Sequence, residues 1–129
     1  SGRRTPRRGR LARSARAATA RVAVASVVRV VPISPVADLD PLMHTAMNAD
    51  LKIDATEVEA ESPSRLLKRP EIDCTVWVGG QERPSFLWQA RTLSENWDCP
   101  WHVAKGKHHF DVIDALEDPE SALTNTLLD

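Results

Sequence analysis

Between Arg21 and Pro35 the chain passes through seven β-branched apolar residues, Val22, Val24, Val27, Val28, Val30, Val31 and Ile33, and the run is closed by Pro32 and Pro35. Such side chains are stiff at χ1 and pack well on a pleated surface. A run that is apolar on both faces near its end suits a strand buried inside a parallel sheet. The residues after it fit that context. Leu39, Leu42, Met43, Met47, Leu51 and Ile53 fall largely at spacings of three and four, which predicts short helices over residues 39–60. Cys74-Thr75-Val76-Trp77-Val78 reads as a second strand stopped by Gly79-Gly80. Pro84 then opens a helix, where its missing N–H costs nothing. Phe86, Ala90, Leu93 and Trp97 share one face of it, and Asp98 and Pro100 end it. A third strand is expected around Trp101–Ala104, before Gly106. Two helical pieces, Phe110–Leu116 and Pro119–Leu128, close the chain, the second capped by Asp118 with Pro119 at its first position. The pattern is α/β: about three parallel strands with flanking helices and right-handed crossovers.

Charge divides the chain in two. Residues 1–37 hold nine arginines and no acid, whereas residues 38–129 hold eight basic and eighteen acidic residues. The first twenty residues are Gly/Arg/Pro-rich and then Ala/Arg-rich, with Leu11 as their one large apolar side chain, so a disordered or weakly helical basic arm is expected. The remainder, residues 21–129, has the character of a folded domain. No apolar run is long enough for a transmembrane helix. Two cysteines, Cys74 and Cys99, are too few for a disulfide scaffold or a four-cysteine zinc site.

In open α/β sheets ligands bind beyond the carboxyl ends of the strands. Two segments fall there: Val78-Gly79-Gly80-Gln81-Glu82-Arg83-Pro84, and Lys105-Gly106-Lys107-His108-His109-Phe110-Asp111. A carboxylate on one such loop and an imidazole on the next match the trailing members of a Ser…Asp/Glu…His order, in which the imidazole takes the nucleophile's proton and the carboxylate fixes its tautomer. Glu82 as a solvated turn carboxylate and His109 as a surface histidine is the plainer alternative. A metal site drawn from His102, His108, His109, Asp111 and Cys99 lacks a His-x-x-x-His or Cys-x-x-Cys spacing. Trp77, Trp88, Trp97 and Trp101 read as core and pocket lining.

Several ordered blocks together carry a resemblance. They are Val30-Val31-Pro32-Ile33-Ser34-Pro35-Val36-Ala37-Asp38-Leu39, Met47-Asn48-Ala49-Asp50-Leu51, Glu61-Ser62-Pro63, Val76-Trp77-Val78-Gly79-Gly80-Gln81-Glu82-Arg83-Pro84 and His108-His109-Phe110-Asp111-Val112-Ile113. Over residues 22–129 the chain resembles the C-terminal half of an α/β-hydrolase, in the arylformamidase (kynurenine formamidase) and carboxylesterase branch. The resemblance implies a partial α/β-hydrolase fold. It also implies hydrolysis of small-molecule esters or N-formyl arylamides, with Glu82 as triad acid and His109 as triad base. No cofactor and no metal is implied, His108 takes no catalytic role, and Pro35 to Asn48 would help shape the pocket. The family's G-x-S-x-G elbow and its oxyanion loop have no counterpart here. Ser34, between Ile33 and Pro35, lacks the glycine neighbours of an elbow. The expectation is a fragment with acid and base but no nucleophile, inactive alone.

The basic arm has a reading of its own. The family's elbow would continue Ser-Ala-Gly-Gly-His-Leu-Ala-Ala. One GC-rich coding of those residues, read two nucleotides later, yields Gly-Arg-Arg-Thr-Pro-Arg-Arg, which is Gly2 to Arg8. Out-of-frame translation with the frame restored near Arg21 is therefore one account of residues 1–20. The alternatives are an unselected solvated tail, which is the plainer reading, and a non-catalytic module whose Arg-rich arm binds nucleic acid or acts as a targeting segment. Nucleic acid is the less favoured partner, no membrane association is expected, and the acidic remainder suits a cytoplasmic enzyme. An uncovered apolar strand at Val22–Ile33 invites self-association through the sheet edge.

Overall fold

In the computed structural model, residues 27–129 are described. The expectations for residues 1–20, and for the predicted first strand up to Ser26, lie outside them. The elements in order are β1 (Arg29–Val30), α1 (Asp40–Met43), α2 (Asn48–Leu51), α3 (Ala55–Glu61), β2 (Asp73–Cys74), β3 (Val76–Gly79), α4 (Pro84–Trp97), β4 (Trp101–Ala104) and α5 (Ala122–Leu128). Short 3-10 turns at Pro63–Arg65 and Asp114–Glu117 complete them.

All strand pairing among the described residues is parallel. β1 lies against β2 with Arg29 opposite Asp73, and β3 lies against β4 with Val76 opposite Trp101 and Gly79 opposite Ala104. One ladder connects the two pairs. The N–H groups of Asp73, Thr75 and Trp77 donate to the carbonyls of Val28, Val30 and Pro32, and Ser34 N–H donates to Trp77 at 2.7 Å. Where the predicted first strand meets residue 32 the ladder loses a rung, because proline has no N–H to give to the neighbouring chain. The expected strand over 74–78 therefore appears as two short pieces, and Ile33 pairs with Trp77 beyond the break.

The middle segment is buried on both faces. Cys74, Val76 and Val78 point to one side and pack with Ala37, Ala90 and Leu93, while Trp77 points to the other and packs with Val112 and Leu123. This alternation is the period-two geometry of a strand covered twice. α4 covers the first side. Ala90 and Leu93 are fully buried, and Phe86 and Trp97 flank them on the predicted face. The helix stops where Asp98 turns left-handed at φ 47°. The Trp97 indole N–H is anchored to the Pro63 and Leu66 carbonyls at 3.1 and 3.0 Å. Trp88 and Trp101 depart from expectation and are only partly covered, 48% and 38% exposed. Trp88 sits two positions off the apolar stripe of α4, and Trp101 stands on the outer strand.

The C-terminal helices are also shifted. Phe110–Leu116 is not an α-helix: residues 110–113 form turns, in which Asp111 accepts from His108 N–H and His108 from Phe110 N–H, and a 3-10 helix follows at Asp114–Glu117. The last helix begins at Ala122, capped by Ser121, which accepts from Thr124 N–H at 3.1 Å. Asp118, the expected cap, instead closes a turn onto Glu120 N–H. Among the described residues no helix is long and apolar enough to cross a membrane.

Candidate functional site

The strands run parallel, so the segments that leave their carboxyl ends emerge at one edge. Ser34 follows the first strand path, Glu82 follows β3 and His109 follows β4. Backbone bonds tie the latter two loops together. Gly80 N–H donates to Ala104 and Gln81 N–H donates to Lys107, each at 2.8 Å. Gly79 makes that approach feasible, since a Cβ on it would lie 2.4 Å from the Lys107 carbonyl oxygen.

Glu82 and His109 meet. Glu82 Oε1 lies 2.7 Å from His109 Nδ1, with the Glu82 side chain fully buried and that of His109 43% exposed. The second carboxylate oxygen, Oε2, accepts from Ser34 Oγ and from Gly79 N–H, both at 2.6 Å. Burial alone would raise the Glu82 pKa. The Ser34 hydroxyl, the Gly79 N–H and His109 outweigh it and hold the carboxyl below its ordinary value. Phe86, from the first turn of α4, stacks on the His109 ring with centroids 4.5 Å apart, and Phe110 meets the same ring edge-on at 5.6 Å. With Nδ1 engaged, Nε2 has no hydrogen-bonded partner among the described residues. A cavity of about 430 Å³ opens beside the ring, lined by Gln81, Glu82, Arg83, Phe86, His108, His109 and Phe110.

The remaining candidates of the sequence do not join the Glu82–His109 pair, although His108 lines the same cavity. His108 pairs with Asp111 at 3.4 Å, and His102 stacks on Trp77 at 4.0 Å. Cys99 packs in the core cluster that contains Cys74. Burial raises both thiols, that of Cys74 up to about 12. Among the described residues no three His, Cys, Asp or Glu side chains are gathered as metal ligands. Of Pro35 to Asn48, expected to shape the pocket, no residue lines the cavity beside His109, and Ala37 and Asp38 are tethered to α4. The Gln89 carboxamide accepts from Ala37 and Asp38 N–H and donates to the Asp38 carbonyl. Asp38 in turn pairs with Arg65 at 3.1 Å.

Sequence reasoning considered Ser34 only as a nucleophile and set it aside. Its position at the same sheet edge as Glu82 and His109 was the available signal for a different part in the site.

No family model matches the chain, and no curated protein does so. The chain is similar to the crystal structure of a candidate thioesterase from Silicibacter sp. TM1040, with 50% sequence identity and a TM-score of 0.76. The match covers 78% of this chain and 38% of that one, so the chain spans well under half the length of the protein it matches.

Proposed function

We propose that the chain is part of a hydrolase of the α/β-hydrolase type, in which Glu82 and His109 are the acid and base of a triad. One observation carries the reading: a fully buried carboxylate, 2.7 Å from Nδ1 of a half-exposed imidazole, at the carboxyl edge of parallel strands. The likeness to a candidate thioesterase supports hydrolysis as the reaction class.

The chemistry is set by the tautomer. In neutral His109, Nδ1–H donates to Glu82, so the lone pair sits on Nε2. Nε2 then takes a proton from an attacking hydroxyl as the acyl carbon becomes tetrahedral. The imidazolium formed is paired with the carboxylate. It returns the proton to the departing thiol, alcohol or arylamine, leaving an acyl-enzyme that water clears by the same route. Ser34 does not serve as the nucleophile, because its hydroxyl donates to Glu82 rather than facing the imidazole. The attacking hydroxyl comes from a segment outside residues 27–129. The substrate is a carboxylic thioester, ester or N-formyl arylamide whose apolar part rests against Phe86 and Phe110.

Substituting residues 27–129 for the matching part of the Silicibacter protein tests the reading. The folded chimera is expected to hydrolyse at least one of an acyl thioester, a p-nitrophenyl ester and an N-formyl arylamide. A folded chimera that turns over none of them contradicts it.

A further inference from the structure

We propose that Ser34 is a positioning residue, whose hydroxyl fixes the rotation of the Glu82 carboxylate so that Oε1 is presented to His109 Nδ1; the inference rests on the reading of Glu82 and His109 as acid and base. The terminal torsion of a glutamate is broad, and a carboxylate can swing either oxygen toward a neighbour. Here the two oxygens are committed to different work. Oε2 receives two short bonds, from Ser34 Oγ and Gly79 N–H, and only Oε1 is left for the imidazole.

The backbone at Ser34 points the same way. Its φ of 48° lies in the left-handed region, which L-residues other than glycine, asparagine and aspartate seldom enter. Glycine would occupy this turn at no steric cost, so what serine adds is its hydroxyl. The residue spans two strands with two groups: its N–H donates to the Trp77 carbonyl, and its side chain donates to the carboxylate beyond the end of β3. A strained conformation that aims a side chain at a functional group is evidence for that group's use. Four residues onward the chain is pinned to α4 through Gln89 and Asp38, so the turn is held from both sides. Ser34 is the only side chain that donates to Oε2 among the described residues; Gly79 N–H is the one donor left to that oxygen when the hydroxyl is removed. Phe86 and Phe110 flank His109, and among the described residues no other charged side chain lies within ion-pair distance of Glu82 or His109.

The functional consequence concerns the tautomer. A carboxylate locked through Oε2 accepts steadily from Nδ1–H and keeps the Nε2 lone pair free. One that has lost its lock lets the ring sample the Nε2–H form, which cannot accept a proton at that nitrogen.

Nitrogen-15 NMR of histidine-labelled full-length chain tests this directly. Wild-type His109 is expected as the Nδ1–H tautomer with a slowly exchanging Nδ1 proton. S34G removes the hydroxyl while suiting the left-handed backbone, so far-UV circular dichroism is expected to be unchanged. The ring shifts are expected to move to a tautomer mixture, and Nδ1 proton exchange to quicken about tenfold, as loss of a hydrogen bond to a charged group implies. S34A is expected to do the same. Should S34G and S34A keep wild-type ring shifts while E82Q loses them, Glu82 is positioned without Ser34 and the inference is overturned. Should E82Q itself leave the ring shifts untouched, the pairing of Glu82 with His109 fails, and the proposed function with it.

Discussion

Gly79 lies where the loop carrying Glu82 closes on the loop carrying His109. A Cβ added there would stand 2.4 Å from the Lys107 carbonyl oxygen and 2.8 Å from its carbon, both backbone atoms that cannot swing aside. G79A is therefore expected to part the loops and to cost about 1–3 kcal/mol in urea denaturation, the usual penalty of overpacking. Glu82 gives a second expectation at this scale. Its folded-state pKa lies below the ordinary 4.5, so its stabilising contribution is complete above pH 4.5 and is lost as the pH falls through the lower folded value. Asp38 behaves likewise from an ordinary value of 3.8, because Asp40 N–H, Arg65 and Ser64 outweigh the burial that would raise it. Urea midpoints are expected to fall below pH 4.5, and E82Q is expected to remove the upper part of that fall. A curve for E82Q that superimposes on wild type would contradict the assignment. That Glu82 and His109 lie beyond the carboxyl ends of strands was legible in the sequence, because each follows a strand and a glycine within a few residues; their assignment as acid and base came only from the resemblance. Ser34 was not legible in its role, since its partner lies 48 positions away and only the folded sheet edge joins them.

The elements show what local patterning can and cannot carry. α4 was readable to within its apolar face because Pro84 marks its start and period-3.6 spacing marks its core side. Strand positions were readable from their β-branched and aromatic residues, but the break at Pro32 appears only when the neighbouring ladder is drawn. The C-terminal helices were misplaced because Asp118 and Ser121 are both good caps, and the choice between them depends on which backbone donor each reaches. Between elements, the tether that matters most is Gln89. This buried carboxamide satisfies two backbone N–H groups and one carbonyl of the loop after the first strand. Q89L keeps the volume and removes those partners. It is expected to destabilise the fold by about 1–3 kcal/mol in urea denaturation. A loss within a few tenths of a kcal/mol would show that the loop is held by its other contacts.

For the whole molecule, the balance of apolar surface is informative. Val28 is 74% exposed along the first strand path, and on β4 Trp101 and Val103 remain substantially exposed. Strand edges of this kind template further pairing. We expect the chain expressed alone to form dimers or larger species at micromolar concentration in light scattering, and a well-behaved monomer would count against the reading as part of a larger sheet. The similarity to a protein of which it spans 38% fits the same picture. On this account the chain holds one side of a hydrolytic site, with the base and its acid fixed by strand order and the attacking group brought by other residues.

The most direct test is the effect of H109A on kcat/KM in the chimera with the Silicibacter protein. Loss of a general base is expected to lower it by about 10²–10⁴-fold, with the folded content unchanged. An H109A chimera that is folded and retains its parent's kcat/KM would contradict the assignment of His109, and with it the account of the site.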